Sequence, residues 1–326
     1  MRKNYKNITV LRNGAMGDFI LTLPALASLR AAYPTAHLRL IGHPAFLELA
    51  APDAVFNSDS ASMAPLYSPA APLPKPTRAL FAATDFILAY AADPDQVLEQ
   101  NLRNLVGDNL LCHDPRPPVA ATRHITAHLL APLRQAGLTV PDPMPRIQLK
   151  KDAVDFAQDW WQQKNLKAPV VVLHPGSGSR HKCWPLKGFI QLANAVKKAG
   201  FHPLLLHGPA DTHIAAQLAK HIPPDALLPT PGPARLAALL QKAQLFIGND
   251  SGPAHMAAAV QTQTIVLFGP TDPRVWRPPH PHVEILQAPN GDLNALQTTS
   301  VLKAVKKHLN QEAPAGHLYP RNSAKS

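Results

Sequence analysis

Three short segments hold the residue types from which an anion site and a proton acceptor could be built. The first is Arg12-Asn13-Gly14-Ala15-Met16-Gly17-Asp18, in which two glycines allow a tight turn and a close backbone approach to a ligand. Asp18 stands where a helix begins, and its carboxylate could take a proton from a bound hydroxyl. Read locally, Asp18 is first of all a helix cap, since aspartate is favoured there without any chemistry. The second segment is His174-Pro175-Gly176-Ser177-Gly178-Ser179-Arg180-His181-Lys182-Cys183-Trp184-Pro185. Its small residues can surround phosphate oxygens with amides and hydroxyls, and Lys182 adds a point charge. The spacing is not that of a Walker motif, so a solvated loop with a chance lysine is the competing reading. The third is Gly248-Asn249-Asp250-Ser251-Gly252-Pro253-Ala254-His255. A helix starting near Gly252 would offer its free amides and dipole to an anion, with Asp250 or Ser251 as its cap. His255 lies one turn inside, either at the ligand or as a buried, hydrogen-bonded histidine.

Other constellations carry less. Gly14 and Gly17 do not make a G-x-G-x-x-G fingerprint, so no dinucleotide cofactor is expected. His124 and His128 have the i, i+4 spacing of a metal pair but lack a third ligand, and no metal site is expected. Asp93-Pro94-Asp95 is not a diphosphate-metal element; it reads as the cap of a following helix. Cys112 and Cys183, the only two cysteines, are too few for a disulfide framework or a zinc site and read as free thiols.

The elements that must carry these segments alternate. Aliphatic runs at Ile8–Leu11, Leu38–Ile41, Phe86–Ala89, Asn109–Cys112, Val170–Leu173, Pro203–Leu206, Leu245–Ile247 and Thr264–Phe268 read as strands. Helical stretches are expected after Gly17 up to Tyr33, at Thr126–Ala136, Leu186–Ala199, Asp211–Lys220, Pro233–Lys242, and after Gly252. Such alternation predicts parallel sheets covered by helices, with the three segments at the carboxyl ends of strands, where ligands bind. Val301, Leu302, Val305 and Leu309 recur at helical spacing and predict a last helix; from about Gln311 periodicity is lost and the end is expected to fray. Ser58–Pro76 and Pro115–Pro118 read as loops, Pro141–Pro145 as a stiff linker. A boundary near Lys150 gives two domains, 1–150 and 151–326.

Composition supports this and excludes other classes. The 326 residues are about twice a typical domain of ~150. With 46% hydrophobic and 16% charged residues the chain is globular. Prolines number 36, roughly double the usual ~5%, and gather in the loops. No apolar run of about 18 residues reads as a membrane span, and the start of the chain does not read as a secretory leader, so a cytoplasmic location is expected. The net charge of +11 is uneven: residues 1–150 hold 14 Lys+Arg against 11 Asp+Glu, and residues 151–326 hold 18 against 10. A basic second half suits an anionic ligand or an anionic surface nearby. Nucleic acid is not expected, because aromatics are 6% and no Arg-rich or aromatic-basic motif occurs.

Taken together, Val10–Leu29, Val171–Phe189, Leu206–Asp211 and Phe246–Pro273 resemble glycosyltransferase family nine, the lipopolysaccharide heptosyltransferase-like family. The D-S-G-P-x-H run at 250–255 and the F-G-P-T-D-P run at 268–273 are its specific marks. The resemblance implies the GT-B fold: two Rossmann-like domains with parallel sheets facing across a cleft. Domain 1–150 would be on the acceptor side and domain 151–326 would bind the nucleotide sugar. It implies an inverting, metal-independent enzyme that moves a sugar, a heptose in this family, from an ADP-linked donor to an anionic glycolipid or lipopolysaccharide acceptor. No cofactor is implied, and contact with the inner face of the cytoplasmic membrane is. Asp18 matches the family's general base. Ser177, Gly178 and Lys182 match the loop that holds donor phosphates. Asp250, Ser251, Gly252 and His255 match the second diphosphate and nucleotide contact, and Asp211 an acidic residue facing the nucleotide. The first domain departs from the pattern: between Phe56 and Pro118 no Lys/Arg cluster offers itself to an acidic core, which leaves acceptor and sugar open. The alternatives are a GT-B-like sugar-nucleotide hydrolase or epimerase, needing no acceptor, and a non-catalytic nucleotide-sugar-binding homologue.

Overall fold

The computed structural model describes residues 4–69, 71–166 and 168–309. The chain divides into two compact units, Met1–Gln148 and Leu149–Ser326. The expected fraying beyond Gln311 lies outside the described residues.

The first unit is built on a parallel sheet of β1 (Asn7–Arg12), β2 (His37–Gly42), β3 (Ala54–Asn57), β4 (Phe86–Tyr90) and β5 (Leu110–His113), in the order β3-β2-β1-β4-β5. β1 and β4 are flanked by strands on both sides and buried except at Asn7, as strands covered on both faces must be; β4 is apolar throughout, while β1 also buries Thr9 and Arg12. The helix Met16–Ala32 follows β1 and buries ten of its residues, from Phe19 to Leu29. The Ala/Pro/Ser stretch after Ser58 is more ordered than a plain loop. Met63 and Leu66 are buried in the core cluster with Phe81 and Leu102, and a helix, Lys75–Ala82, begins within the stretch. The single helix expected over Thr126–Ala136 is two short ones, Ile125–Leu129 and Ala131–Gln135, with Pro132 in the first turn of the second, where its missing N–H is tolerated. Pro141–Pro145 belongs to the first unit: Asp142 accepts from the Met144 amide and Arg146 Nε, and Pro145 and Ile147 are buried.

The second unit carries a parallel sheet of β6 (Val170–His174), β7 (His202–His207), β8 (Leu227–Pro229), β9 (Leu245–Asn249), β10 (Thr264–Phe268) and β11 (Val283–Gln287). Its order, β11-β10-β9-β6-β7-β8, is the doubly wound arrangement in which the chain starts in the middle, runs to one edge, and returns to fill the other side. The reversal falls between β6 and β9, which pair from Val171↔Leu245 to His174↔Gly248. Every residue of β6, β9 and β10 is buried. The helices Leu186–Lys198 and Thr298–Leu309 pack their apolar stripes on one face, with Phe189, Leu192, Val301 and Val305 in the core. Among the described residues no helix is long and apolar enough to cross a membrane.

Candidate functional site

In the first unit the turn after β1 leads directly into the helix Met16–Ala32. Its N-cap is Ala15, which has no side-chain acceptor, and Asp18 is the third helical residue. Asp18 reaches back so that its Oδ2 accepts from the Ala15 amide at 3.3 Å. The cap read at Asp18 is therefore supplied from inside the first turn and not from the N-cap position. Arg12, at the end of β1, donates to Thr22 Oγ1 (3.0 Å), the Asn13 carbonyl (2.6 Å) and the Asp18 carbonyl (3.4 Å). Burial lowers the Arg12 pKa, opposed by the charge of Asp18 and by Tyr90. The guanidinium is thus spent on carbonyls and a hydroxyl, and the half-buried Asp18 carboxylate has one weak amide bond.

In the second unit the loops after β6 and β9 meet at the switch point. Asp250, at 7% exposure, is the centre. Its Oδ2 accepts from Lys182 Nζ at 2.9 Å and from Thr271 Oγ1 at 2.7 Å, and its Oδ1 lies 3.9 Å from His255 Nε2. Ser177 Oγ donates to the Asp250 carbonyl at 3.1 Å, which ties the two loops together. Ser251 is the N-cap of the helix Gly252–Ala259. Ser177, Lys182, Asp250, Ser251, Gly252 and His255 thus form one constellation at the carboxyl end of the sheet.

Gly178 is exposed, and a Cβ added there would meet nothing within 4 Å, so the packing of the protein does not itself require glycine at this position. Asp211 lies beneath. Its Oδ2 accepts from the Gly208 amide at 3.0 Å and stands 3.5 Å from His174 Nε2. Burial by itself would raise the Asp211 pKa. The bonds from His174 and Gly208 outweigh burial and hold it below the usual carboxylate value. The same carboxylate fills the space over Gly176, where an added Cβ would come within 2.2 Å of Oδ1.

Geometry adds three residues that the sequence left out. Asn249, fully buried, accepts from the Trp184 amide at 3.0 Å and donates to the carbonyls of Pro175 (2.9 Å) and Gly176 (3.3 Å), fixing both ends of the Lys182 loop. Thr271 holds Asp250, and its place within F-G-P-T-D-P was the available signal. His174 was visible as the polar end of an aliphatic strand. The two histidines set aside as a metal pair have other partners: His124 Nδ1 caps its helix at the Thr126 amide, and His128 Nε2 bonds the Asp114 carbonyl. Asp93 does cap a helix, accepting from the Leu98 and Glu99 amides at 3.2 and 2.8 Å.

The family model described as glycosyltransferase family 9 (heptosyltransferase) matches residues 103–306. The chain belongs to this family. Among its family-9 relatives, lipopolysaccharide heptosyltransferase 3 of Escherichia coli (strain K12) is 31% identical over 188 residues, 54% of each chain. The chain spans about half the length, or less, of the curated relatives it matches first. Solved structures match over more of it. A family-9 glycosyl transferase from Veillonella parvula superposes with a TM-score of 0.78 at 20% identity, covering 95% of this chain and 98% of that one. The E. coli heptosyltransferase WaaC with ADP gives 0.66 at 18% identity, covering 93% and 99%. At such identity the likeness speaks for the fold alone, and the GT-B class read from the sequence, with a parallel-sheet α/β domain in each unit, is the one this chain has.

Proposed function

We propose that this family-9 chain is an inverting heptosyltransferase that needs no metal ion and moves heptose from ADP-heptose to a lipopolysaccharide-type acceptor. One observation carries the reading: Lys182, Asp250, Ser251 and the N-terminus of the helix Gly252–Ala259 converge at the switch point of the second sheet. Doubly wound sheets take ligands there, and a lysine beside a helix N-terminus suits a diphosphate. The names of the E. coli relative and of WaaC with ADP support the sugar, the acceptor class and the nucleotide.

In the proposed reaction the acceptor hydroxyl attacks the anomeric carbon of the donor. A new C–O bond forms as the bond to the diphosphate oxygen breaks, with inversion at carbon. Asp18 accepts the hydroxyl proton, a contribution of typically ~10²–10⁴-fold. The departing ADP gains negative charge, which Lys182 and the helix amides stabilise in place of a metal. Ser177 and Gly178 line the phosphate loop and His255 lies beside Asp250. Asp211 serves from underneath, through His174 and Gly176, since its carboxylate points inward. The site of action is the cytoplasm, where a net charge of +11 favours the anionic inner face of the membrane that carries the acceptor.

Thermal unfolding against a panel of nucleotide sugars tests the donor assignment. ADP-heptose at ~100 times its dissociation constant adds about 2.7 kcal/mol to stability and raises Tm by several degrees. A panel in which no nucleotide sugar moves Tm contradicts the assignment. A shift from UDP- or GDP-sugars alone would contradict the adenine nucleotide.

A further inference from the structure

Tyr67 is the one aromatic side chain that the described residues leave exposed, at 43% of its surface. Every other Phe, Tyr or Trp ring among them is buried or half-buried. An exposed tyrosine that stands alone needs no explanation. This one is fixed on both sides of its backbone and at its hydroxyl. It ends the short 3₁₀ turn Ala64–Tyr67, which Leu66 and the preceding Met63 anchor in the core. Asn101, on the helix Val97–Val106, donates through Nδ2 to the carbonyls of Leu66 and Ser68, each at 3.0 Å. The Tyr67 hydroxyl accepts from Asn13 Nδ2 at 3.3 Å. Asn13 precedes Gly14, whose φ is +125°, and a Cβ added at Gly14 would stand 3.3 Å from Asp18 Oδ2. The ring is therefore tied to the turn over which the Asp18 carboxylate lies, at the carboxyl end of the first sheet. The charges that bear on it are negative. Desolvation raises the Tyr67 pKa against the bond from Asn13, and the carboxylates of Asp59 and Asp93 raise it further.

We propose that Tyr67 is the acceptor's platform: an uncharged sugar ring stacks on the tyrosine face and turns its attacking hydroxyl toward Asp18. The inference rests on the reading of Asp18 as the base of a sugar transfer. A pyranose carries its hydroxyls mainly around the rim and C–H groups on its faces, so an aromatic ring can take one face out of water. A tyrosine has few torsions to fix, and with its backbone already clamped the contact costs little order. Asp59 and Asp93 disfavour a carboxylate or phosphate on the ring that lies there, whatever charge the rest of the acceptor carries. The lack of a Lys/Arg cluster between Phe56 and Pro118 fits recognition by stacking in place of recognition by charge.

Initial rates with ADP-heptose test this on two truncated lipopolysaccharides, one ending in an unphosphorylated heptose and one in a carboxylate-bearing sugar. With the first acceptor, Tyr67→Ala should raise the acceptor KM about tenfold, while kcat and the KM for ADP-heptose stay within about threefold. Tyr67→Leu, which keeps bulk but not the aromatic face, should behave like the alanine variant. Tyr67→Phe keeps the face and loses only the Asn13 bond, so its acceptor KM should stay within about threefold of the unaltered protein. The unaltered protein should favour the uncharged end by about tenfold or more in kcat/KM. An unchanged acceptor KM in Tyr67→Ala and Tyr67→Leu, or a phenylalanine variant as impaired as alanine, would overturn the platform. Equal or better transfer to the carboxylate-bearing end would overturn the uncharged ring. Absence of transfer by the unaltered protein to either acceptor is a separate outcome. It would remove the transferase reading itself, and this inference with it.

Discussion

Asp250 accepts from Lys182 and Thr271 on one oxygen and faces His255 with the other, so the lysine assigned to the diphosphate already has an anionic partner. A ligand must share or take over that charge, and Lys182, a third exposed, can turn toward it. In the first unit Asp18 is placed differently. Among the described residues its carboxylate has the Ala15 amide as its one hydrogen-bond partner, while the guanidinium of the neighbouring Arg12 donates to carbonyls and a hydroxyl. These two environments predict opposite kinetic signatures. Asp18→Asn keeps an oxygen for the Ala15 amide and loses only the charge. Transfer should fall by roughly 10²-fold or more, with ADP affinity little changed. Lys182→Ala should cost about 1.5–3 kcal/mol in ADP affinity, the range for hydrogen bonds to charged groups. Calorimetry and initial rates on both variants separate the roles. Near-normal transfer by Asp18→Asn would reduce Asp18 to a cap, and unaltered ADP binding by Lys182→Ala would remove the lysine from the site.

At the scale of elements, Asn249 is the clamp on the loop 175–184, the one proposed to hold phosphate. Its amide satisfies Trp184 N–H and the carbonyls of Pro175 and Gly176 in a fully buried position. Asn249→Ala leaves these groups unpaired away from water and should lower stability by about 3 kcal/mol, read from chemical denaturation. ADP binding should weaken too, because the loop loses both anchors; a stability change under about 1 kcal/mol would show that the loop holds itself. Asn249 was not legible as a clamp, since its partners lie 65 to 74 residues away and only folding brings them back. The strands that carry the site were legible, because Val170–His174 and Thr264–Phe268 are buried on both faces and so read as unbroken aliphatic runs. Ala54–Asn57, Leu227–Pro229 and Val283–Gln287 were not. All three are edge strands, where short length, Pro229 and Glu284 are tolerated and blur the pattern. Asp18 was found as a capping residue but lies three residues past the N-cap, because nothing in the sequence says that Ala15, with no acceptor of its own, ends the turn.

For the whole molecule, pH dependence follows from half-buried imidazoles in both units. Burial holds His113 below the ordinary value of ~6.5, aided by the neighbouring charge of His128, and burial does the same to His202. Below about pH 6.5 the unfolded chain takes up protons that the fold declines, so stability falls as pH drops from there toward the folded-state pKa values. Asp211, Asp53 and Glu284 are depressed by their partners, so their contributions persist above the ordinary carboxylate range and are lost only in stronger acid. Urea midpoints should therefore be level above about pH 7, decline between roughly 6.5 and 5, and fall again below about 4. His113→Gln with His202→Gln should flatten the upper decline, and a midpoint unchanged from pH 7.5 to 5.5 would contradict the assignment. The activity proposed for the whole molecule is transfer itself. The most direct measurement is ADP release from ADP-heptose with and without a heptose-deficient lipopolysaccharide acceptor, in the presence of a chelator, with the acceptor's mass followed in parallel. The account predicts ADP release only when acceptor is present, matched by a gain of one heptose and undiminished by the chelator. Release without acceptor, or binding with no turnover, would contradict it.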